Sequence, residues 1–264
     1  MIKKTQKMDW SNDTMLQLIR HATLKIQVNG IKFLVDPMLS KKGMISPVPN
    51  TANDFGNPLV DLKMKIEDIL KEVNAIILTH MHRDHFDQEA IKLIPKHIPI
   101  FSQIEDFNRL YELGFRNIVS VENNYIWKDI QLIRTNGKHG TGEIEKKMGP
   151  VSGFIIEASN FPKLYLAGDT IWCDDVIRSI NKYQPDVIVV NGGAAQFIDS
   201  EPITMDKYDI HQVSKLAPYS KIYVVHMEAW NHCLLKRESL LDYISMNNLT
   251  NVEVPNDGEL FYKL

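Results

Sequence analysis

Short apolar runs separated by turn residues dominate the chain, and most have the length of strands. Residues 16–28 and 31–35 are rich in large and β-branched apolar side chains. They are joined by Asn29-Gly30, a pair suited to the left-handed backbone of a tight hairpin turn. Residues 75–79 (AIILT) form an unbroken apolar run, as a strand covered on both faces requires. Further strands are predicted at 99–101, 117–121, 126–135, 152–158, 163–167, 186–191, 221–226, 252–254 and 260–262. Helical spacing is predicted at 66–72, 88–94, 105–113 (ended by Gly114), 173–182, 205–217 and 236–246. Residues 43–58, rich in Pro, Gly and Asn, follow neither period and read as a long surface loop, a length often given to lids and binding loops. Strands outnumber helices, and helices fall in both halves. This predicts an α/β protein of two stacked sheets with helices outside them, forming a single unit over residues 1–264.

Composition narrows the function classes. A formal charge of −3 gives no basic footprint for nucleic acid. The longest apolar runs, such as 187–190 and 222–225, are too short to span a membrane. Residues 1–15 are polar and lack the apolar stretch of a secretory signal. The two cysteines, Cys173 and Cys233, are too few for a disulfide framework and are expected to be reduced in a cytoplasmic protein.

The chemistry concentrates where the buried run 75–79 ends. Three of the nine histidines fall in Thr79-His80-Met81-His82-Arg83-Asp84-His85. Imidazole and carboxylate suit Zn, Mn or Fe, and a strand end gives such a loop a rigid base. Structural zinc sites more usually recruit thiolates, so nitrogen and oxygen donors point to an open, catalytic site. The bland reading, a solvated histidine-rich loop, fits a lone His-x-His pair better than it fits this set.

His80-x-His82-x-Asp84-His85 after a buried strand resembles the signature loop of the metallo-β-lactamase superfamily. Further matches follow in order: His139 in Asn136-Gly137-Lys138-His139-Gly140, Asp169 in Ala167-Gly168-Asp169-Thr170, and His226 at the end of run 222–225. The hairpin leading to Asp36-Pro37 resembles the family's opening, so the similarity spans about 16–228, and the branch it is most similar to contains ascorbate-6-phosphate lactonase. The resemblance implies a four-layer αββα sandwich and a cofactor of two divalent metal ions, with Zn ahead of Mn or Fe. One ion would be held by His80, His82 and His139, the other by Asp84, His85 and His226, with Asp169 bridging. It further implies hydrolysis by a hydroxide between the metals, with Asp84 orienting it and taking a proton. Neither cysteine falls on a ligand position, which argues against antibiotic hydrolysis. Arg83 stands where the oxygen-reducing diiron branch has an acid, and an attached flavin domain is not expected. The insertions of the RNA-end nucleases are absent.

Other residues have two readings each. Asp36 is either a hydrogen-bond partner supporting the site or a turn residue before Pro37. His21, in Arg20-His21-Ala22-Thr23, either lines the substrate pocket or is a core histidine. His232 is either a catalytic proton donor or substrate contact, or else a helix-cap residue or a hydrogen-bond support behind the site. Asn191-Gly192-Gly193 either binds a substrate anion or is a tight connection. Arg83, Lys41 and Lys42 are candidates for an anionic group on the substrate, against simple solvation. Trp172 and Trp230 wall the pocket or pack the core. His97 and His211 read as surface or helix residues. The expected partner is a small polar metabolite carrying a lactone or carboxylic ester, with homo-oligomers a common state of the fold and no nucleic-acid or membrane partner. A phosphodiesterase, a non-catalytic metal-binding or sensing protein, and an iron redox protein remain as alternatives.

Overall fold

The computed structural model describes residues 14–263; residues 1–13, which carry most of the N-terminal reading above, and residue 264 lie outside it. Strands β1 (Met15–Arg20), β2 (Thr23–Val28) and β3 (Ile31–Val35) form an antiparallel meander. The predicted hairpin forms at Asn29 and Gly30, both with positive φ, and pairs Val28 with Ile31. Strands β4 (Ala75–Ile77), β5 (Ile100–Ser102) and β6 (Ile118–Ser120) continue this sheet in parallel, interspersed with helices α1 (Ile66–Leu70), α2 (Gln88–Leu93) and α3 (Phe107–Glu112). The second sheet takes β7 (Asn124–Trp127), β8 (Ile130–Asn136), β9 (Ser152–Glu157) and β10 (Leu164–Leu166) as antiparallel neighbours. It continues in parallel through β11 (Val187–Asn191), β12 (Lys221–Val225) and β13 (Val252–Glu253). Its helices are α4 (Gly142–Met148), α5 (Asp174–Tyr183), α6 (Lys207–Leu216) and α7 (Arg237–Met246). The last strand, β14 (Leu260–Lys263), returns to the first sheet and pairs with β1.

Alternation of side chains across each strand builds the layers. Phe33 and Val35 of β3, Leu164 and Leu166 of β10, Val187 and Val189 of β11, and Tyr223 and Val225 of β12 meet in one core between the sheets. The residues between them turn outward under helices. Leu34, Ile76 and Ile100 pack on Ile69 of α1, Ile91 of α2 and Leu110 of α3. Ile188, Val190, Ile222 and Val224 pack on Ile180 of α5, Ile210 and Val213 of α6, and Leu240 of α7. The result is the expected αββα order.

Three local readings change. The run 126–135 is two strands, because Lys128 and Asp129 turn at positive φ, a conformation that neither residue advertises as Asn-Gly does. The run 16–28 breaks at His21, where φ is +61°, just after a register shift between Leu18 and Arg20. Helix α4 was not predicted, since it has no buried residue and so no apolar stripe to betray it.

Topology alone places the chemistry. β8 and β10 both run antiparallel to β9, and β10, β11 and β12 are mutually parallel, so the C-terminal ends of these four strands share one edge. By the same logic β1, β3 and β4 end together in the first sheet. His21, Asp36, His80, His139, Asp169, Asn191 and His226 all fall at or just beyond those ends. No helix among the described residues is long and apolar enough to cross a membrane.

The buried face between the sheets should dominate stability. Phe154, fully buried there, is expected to lose about 3–5 kcal/mol on Phe154→Ala, whereas Met246→Ser, at an exposed position, should change stability by less than about 0.5 kcal/mol. Urea denaturation checks both, and equal effects would contradict the assigned core.

Candidate metal centre

The ligand loop leaves β4 through Leu78 and Thr79 and ends on α2, which is capped by Asp87: Oδ1 accepts from the Ala90 N–H at 2.8 Å and Oδ2 from the Ser40 N–H at 2.7 Å. Fixed at both ends, the loop presents four side chains toward the sheet edge. Asp169 follows Gly168, whose φ of +70° and close approach to the Ser152 carbonyl leave no room for a Cβ. His226 itself sits at φ +63°, a backbone strain often concentrated at functional sites.

These elements bring together all seven residues predicted as ligands. Ligand atoms of His80, His82 and His139 lie within 4.8 Å of one another, as do those of His80, His85 and Asp169, and those of His21, Asp84, His85 and His226. Asp169 stands between the groups. Its Oδ2 is 3.3 Å from His85 Nε2, 3.4 Å from His139 Nε2 and 3.9 Å from His80 Nε2, while Oδ1 is 3.4 Å from His226 Nε2. Asp84 Oδ2 is 3.3 Å from His226 Nε2 and 3.8 Å from His85 Nε2.

Supporting hydrogen bonds aim the imidazoles. His85 Nδ1–H donates to Asp36 Oδ2 at 2.8 Å, which turns its Nε2 inward. Asp36 also accepts from the Thr79 N–H and hydroxyl at 2.8 and 2.7 Å, so it braces the loop as well as the ring. His139 Nδ1–H donates to the Ile203 carbonyl at 2.7 Å, and His82 Nε2–H to the Met148 carbonyl at 3.0 Å. The unpredicted α4 thus supplies an acceptor for a ligand histidine.

The electrostatics demand positive charge at the centre. Burial favours neutral carboxyls, yet the surrounding imidazoles hold Asp84 and Asp169 well below the usual carboxylate range. Burial opposes a charged His85, but Asp169, Asp84 and Asp36 outweigh it and push its pKa up to about 10. His226 is likewise raised, with burial opposing and Asp169 prevailing. Burial drives His80 far down and takes His139 to about 4. A site that stabilises two imidazoliums beside two buried carboxylates and keeps other imidazoles neutral is electrostatically prepared for cations. Nε2 of His80 is buried with no hydrogen-bond partner, an orphan atom that ligation would satisfy. The donor set, all nitrogen and oxygen, fits borderline and hard divalent ions. Cys233, whose Sγ lies 3.6 Å from His226 Nδ1, supports a ligand histidine from behind, and Cys173 is a free thiol too.

Beside the centre opens a cavity of about 250 Å³, lined by His82, Asp84, His139 and His232, by the apolar Val48, Met81, Met148, Phe197, Ile203 and Trp230, and by Arg83 and Arg109. The structure thus brings Arg83, His232 and Trp230 to the cavity. Two residues assigned to substrate lie elsewhere. Asn191 spends its amide on Asp169 Oδ1 at 2.6 Å, and His21 is fully buried behind the ligands. His21 Nε2 is 3.2 Å from Asp84 Oδ2, its ring centroid lies 3.6 Å from that of His226 with the planes tilted by 36°, and its carbonyl accepts the His226 N–H at 2.9 Å. Trp172 packs in the helix layer, Lys41 faces a neighbouring cavity, and Lys42 is exposed. His211 is in α6, its Nδ1 3.0 Å from the Tyr243 hydroxyl.

Sequence reasoning missed two organising residues. Asn231, buried between Trp230 and His232, fastens the loop 43–58. Its Oδ1 accepts from the Val48 N–H at 3.0 Å and the Asn57 amide at 2.8 Å. Its Nδ2 donates to Thr51 Oγ1 at 2.7 Å and the Asn53 carbonyl at 2.9 Å. Buried Arg20 donates to the carbonyls of Met38, Ser40 and Val60. Neither has a motif; the only available signal was an amide and a guanidinium set in otherwise site-forming segments.

His82→Ala and Asp84→Ala are each expected to retain the wild-type far-UV circular dichroism while losing bound metal and hydrolytic activity, as read by elemental analysis of the purified proteins. Full metal content in either variant would contradict the assignment. Asn231→Ala should lower stability by about 2–3 kcal/mol in urea denaturation, because several buried loop groups lose their partner together. An unmoved midpoint would show that the loop holds without it.

Comparison with known proteins agrees with this geometry. The beta-lactamase superfamily domain matches residues 32–227. UPF0173 protein YddR of Bacillus subtilis is 42% identical over 247 residues, covering 92% of this chain and 97% of that protein. A possible metal-dependent hydrolase from Veillonella parvula superposes with a TM-score of 0.92 at 35% identity, over 95% of this chain and 99% of that one. The isothiocyanate hydrolase from Delia radicum gut bacteria superposes with a TM-score of 0.90 at 33% identity, over 94% and 99% of the two chains. Motif, strand-end convergence and similarity over nearly the whole chain agree: this protein belongs to the beta-lactamase superfamily and has the metallo-β-lactamase fold.

Proposed function

We propose that this metal-dependent hydrolase adds water to an electrophilic carbon, an ester or lactone carbonyl, carried on a small molecule with an apolar body. The observation that supports this most is the cavity wall. Val48, Met81, Met148, Phe197, Ile203 and Trp230 make up half of its lining, and Arg83, Arg109 and His232 are the donors beside the ligand residues. The same lining argues against the polar metabolite expected from sequence. Binding there releases water from apolar surface and favours a substrate with hydrocarbon bulk.

His80, His82 and His139 would hold one divalent ion, Asp84, His85 and His226 the other, and Asp169 would stand between them. Zinc suits this donor set best. Such ions supply an activated water near neutral pH and polarise the electrophile. The protein's own groups do the rest. Asp84 reaches the cavity wall and would hold the proton of the attacking water. His232 is pushed down to about 4, chiefly by burial, so it is neutral at pH 7. It therefore serves as a hydrogen-bond partner where charge builds on the substrate rather than as a stored proton.

A second reading keeps the same attack on carbon but takes an isothiocyanate as substrate. It is favoured by the likeness to the isothiocyanate hydrolase and by the apolar cavity. Water adds to the central carbon, the carbon–nitrogen bond breaks, and amine and carbonyl sulfide leave.

A panel of aryl esters, lactones, benzyl isothiocyanate and phosphodiesters, assayed with the metal-loaded protein, separates these. A carbon electrophile should be preferred by about 100-fold in kcat/KM, and His232→Ala should lower that value by about 10- to 100-fold. Faster turnover of phosphodiesters would overturn the reading.

A further inference from the structure

A second cavity, of about 570 Å³, adjoins the metal-bearing one. Leu39, Met44, Ile45 and Ile66 give it apolar walls, and Lys41 and Glu89 reach it with opposite charges. One residue lines both cavities: Arg83, the central residue of the ligand loop.

Arg109, also in the metal-bearing cavity, donates to the Met81 carbonyl at 3.3 Å, and other structurally placed arginines are engaged more fully. Arg20 is spent on backbone carbonyls, Arg134 on Glu105 and Arg237 on Glu228 and Asp257. Among the described residues no carboxylate lies within ion-pair range of Arg83. Its guanidinium carbon instead lies 5.8 Å from the centroid of the Trp230 ring, a contact that holds the cation without neutralising it. Arg83 is solvent-exposed, and its guanidinium, held against Trp230 where two cavities meet, is open to an anion whose carboxylate its planar fork matches. Asp84 in one cavity and Glu89 in the other disfavour a second negative charge, so a singly charged anion suits this position better than a phosphate dianion.

We infer that the substrate carries a carboxylate that pairs with Arg83, with the reacting carbon in the metal-bearing cavity and the apolar remainder in the second cavity. This rests on the reading of the centre as an esterase-like site and specifies what that site selects. Arg83 then determines specificity by binding, and its contribution falls in KM rather than in the chemical step.

Two matched p-nitrophenyl esters test it, one with an acyl chain ending in a methyl group (hexanoate) and one ending in a carboxylate (adipate). The metal-loaded wild type should favour the adipate ester by about tenfold in kcat/KM, through KM, and added salt should erode the preference. Arg83→Met should abolish the preference and Arg83→Lys should keep part of it. Equal kcat/KM for the two esters in the wild type, or an unchanged ratio in Arg83→Met, would overturn the inference. The corresponding p-nitroanilides, titrated by calorimetry, separate the two claims. If neither ester is turned over but the carboxylate anilide still binds better in an Arg83-dependent way, the reaction assignment fails and the anion site stands. Equal binding of both anilides removes the anion site whatever the reaction.

Discussion

Buried Asp84 and Asp169 sit among the imidazoles of His80, His85, His139 and His226 with little water to share the charge, and that cluster holds together only if positive charge lies within it. Protons on His85 and His226 can meet the demand in part, which is why these two rings are raised while their neighbours are lowered. Divalent cations meet it fully. Asp36, Asn191, Cys233 and the carbonyls of Met148 and Ile203 brace the cluster's outer side, so the geometry is set before any ligand arrives.

The rest of the molecule serves this constraint. Two sheets, each part antiparallel and part parallel, deliver strand ends to one edge, and the αββα layering keeps those strands covered and rigid. Above that edge lies a wall of different character. The loop 43–58, pinned by Asn231, brings Val48 to the cavity, and the segment that follows His226 brings Trp230 and His232. The candidate ligands cluster at or just beyond strand ends, whereas much of the cavity wall comes from loops. The division lets one rigid centre act on different molecules as the loops vary.

How much was legible in the sequence follows from the same division. His80, His82, Asp84, His85, His139, Asp169 and His226 occupy strand ends whose apolar runs are readable by period, and the motif spacing is local. Asp36 was readable because it ends β3. His21 and Asn191 were found as site residues but given to substrate, because nothing in the chain tells whether a side chain at a strand end points to the cavity or behind the ligands. Asn231 and Arg20 act through loop backbone far away in the chain, which no period records. Helix α4 lacks an apolar face, and the turn at Lys128 and Asp129 lacks glycine, so both escaped a reading based on pattern. The apolar wall was legible only at Trp230 and in the loop 43–58, since Val48, Phe197, Ile203 and Trp230 come from three separate segments that no period joins.

The account stands on cations occupying the centre between the two sheets. Anomalous diffraction from a crystal of the metal-loaded protein, recorded at the absorption edge of the ion, addresses this directly. Two peaks about 3.5–4 Å apart are predicted, one among His80, His82 and His139, the other among Asp84, His85 and His226, with Asp169 between them. No peak at this cluster, or ions bound only at surface carboxylates, would contradict it.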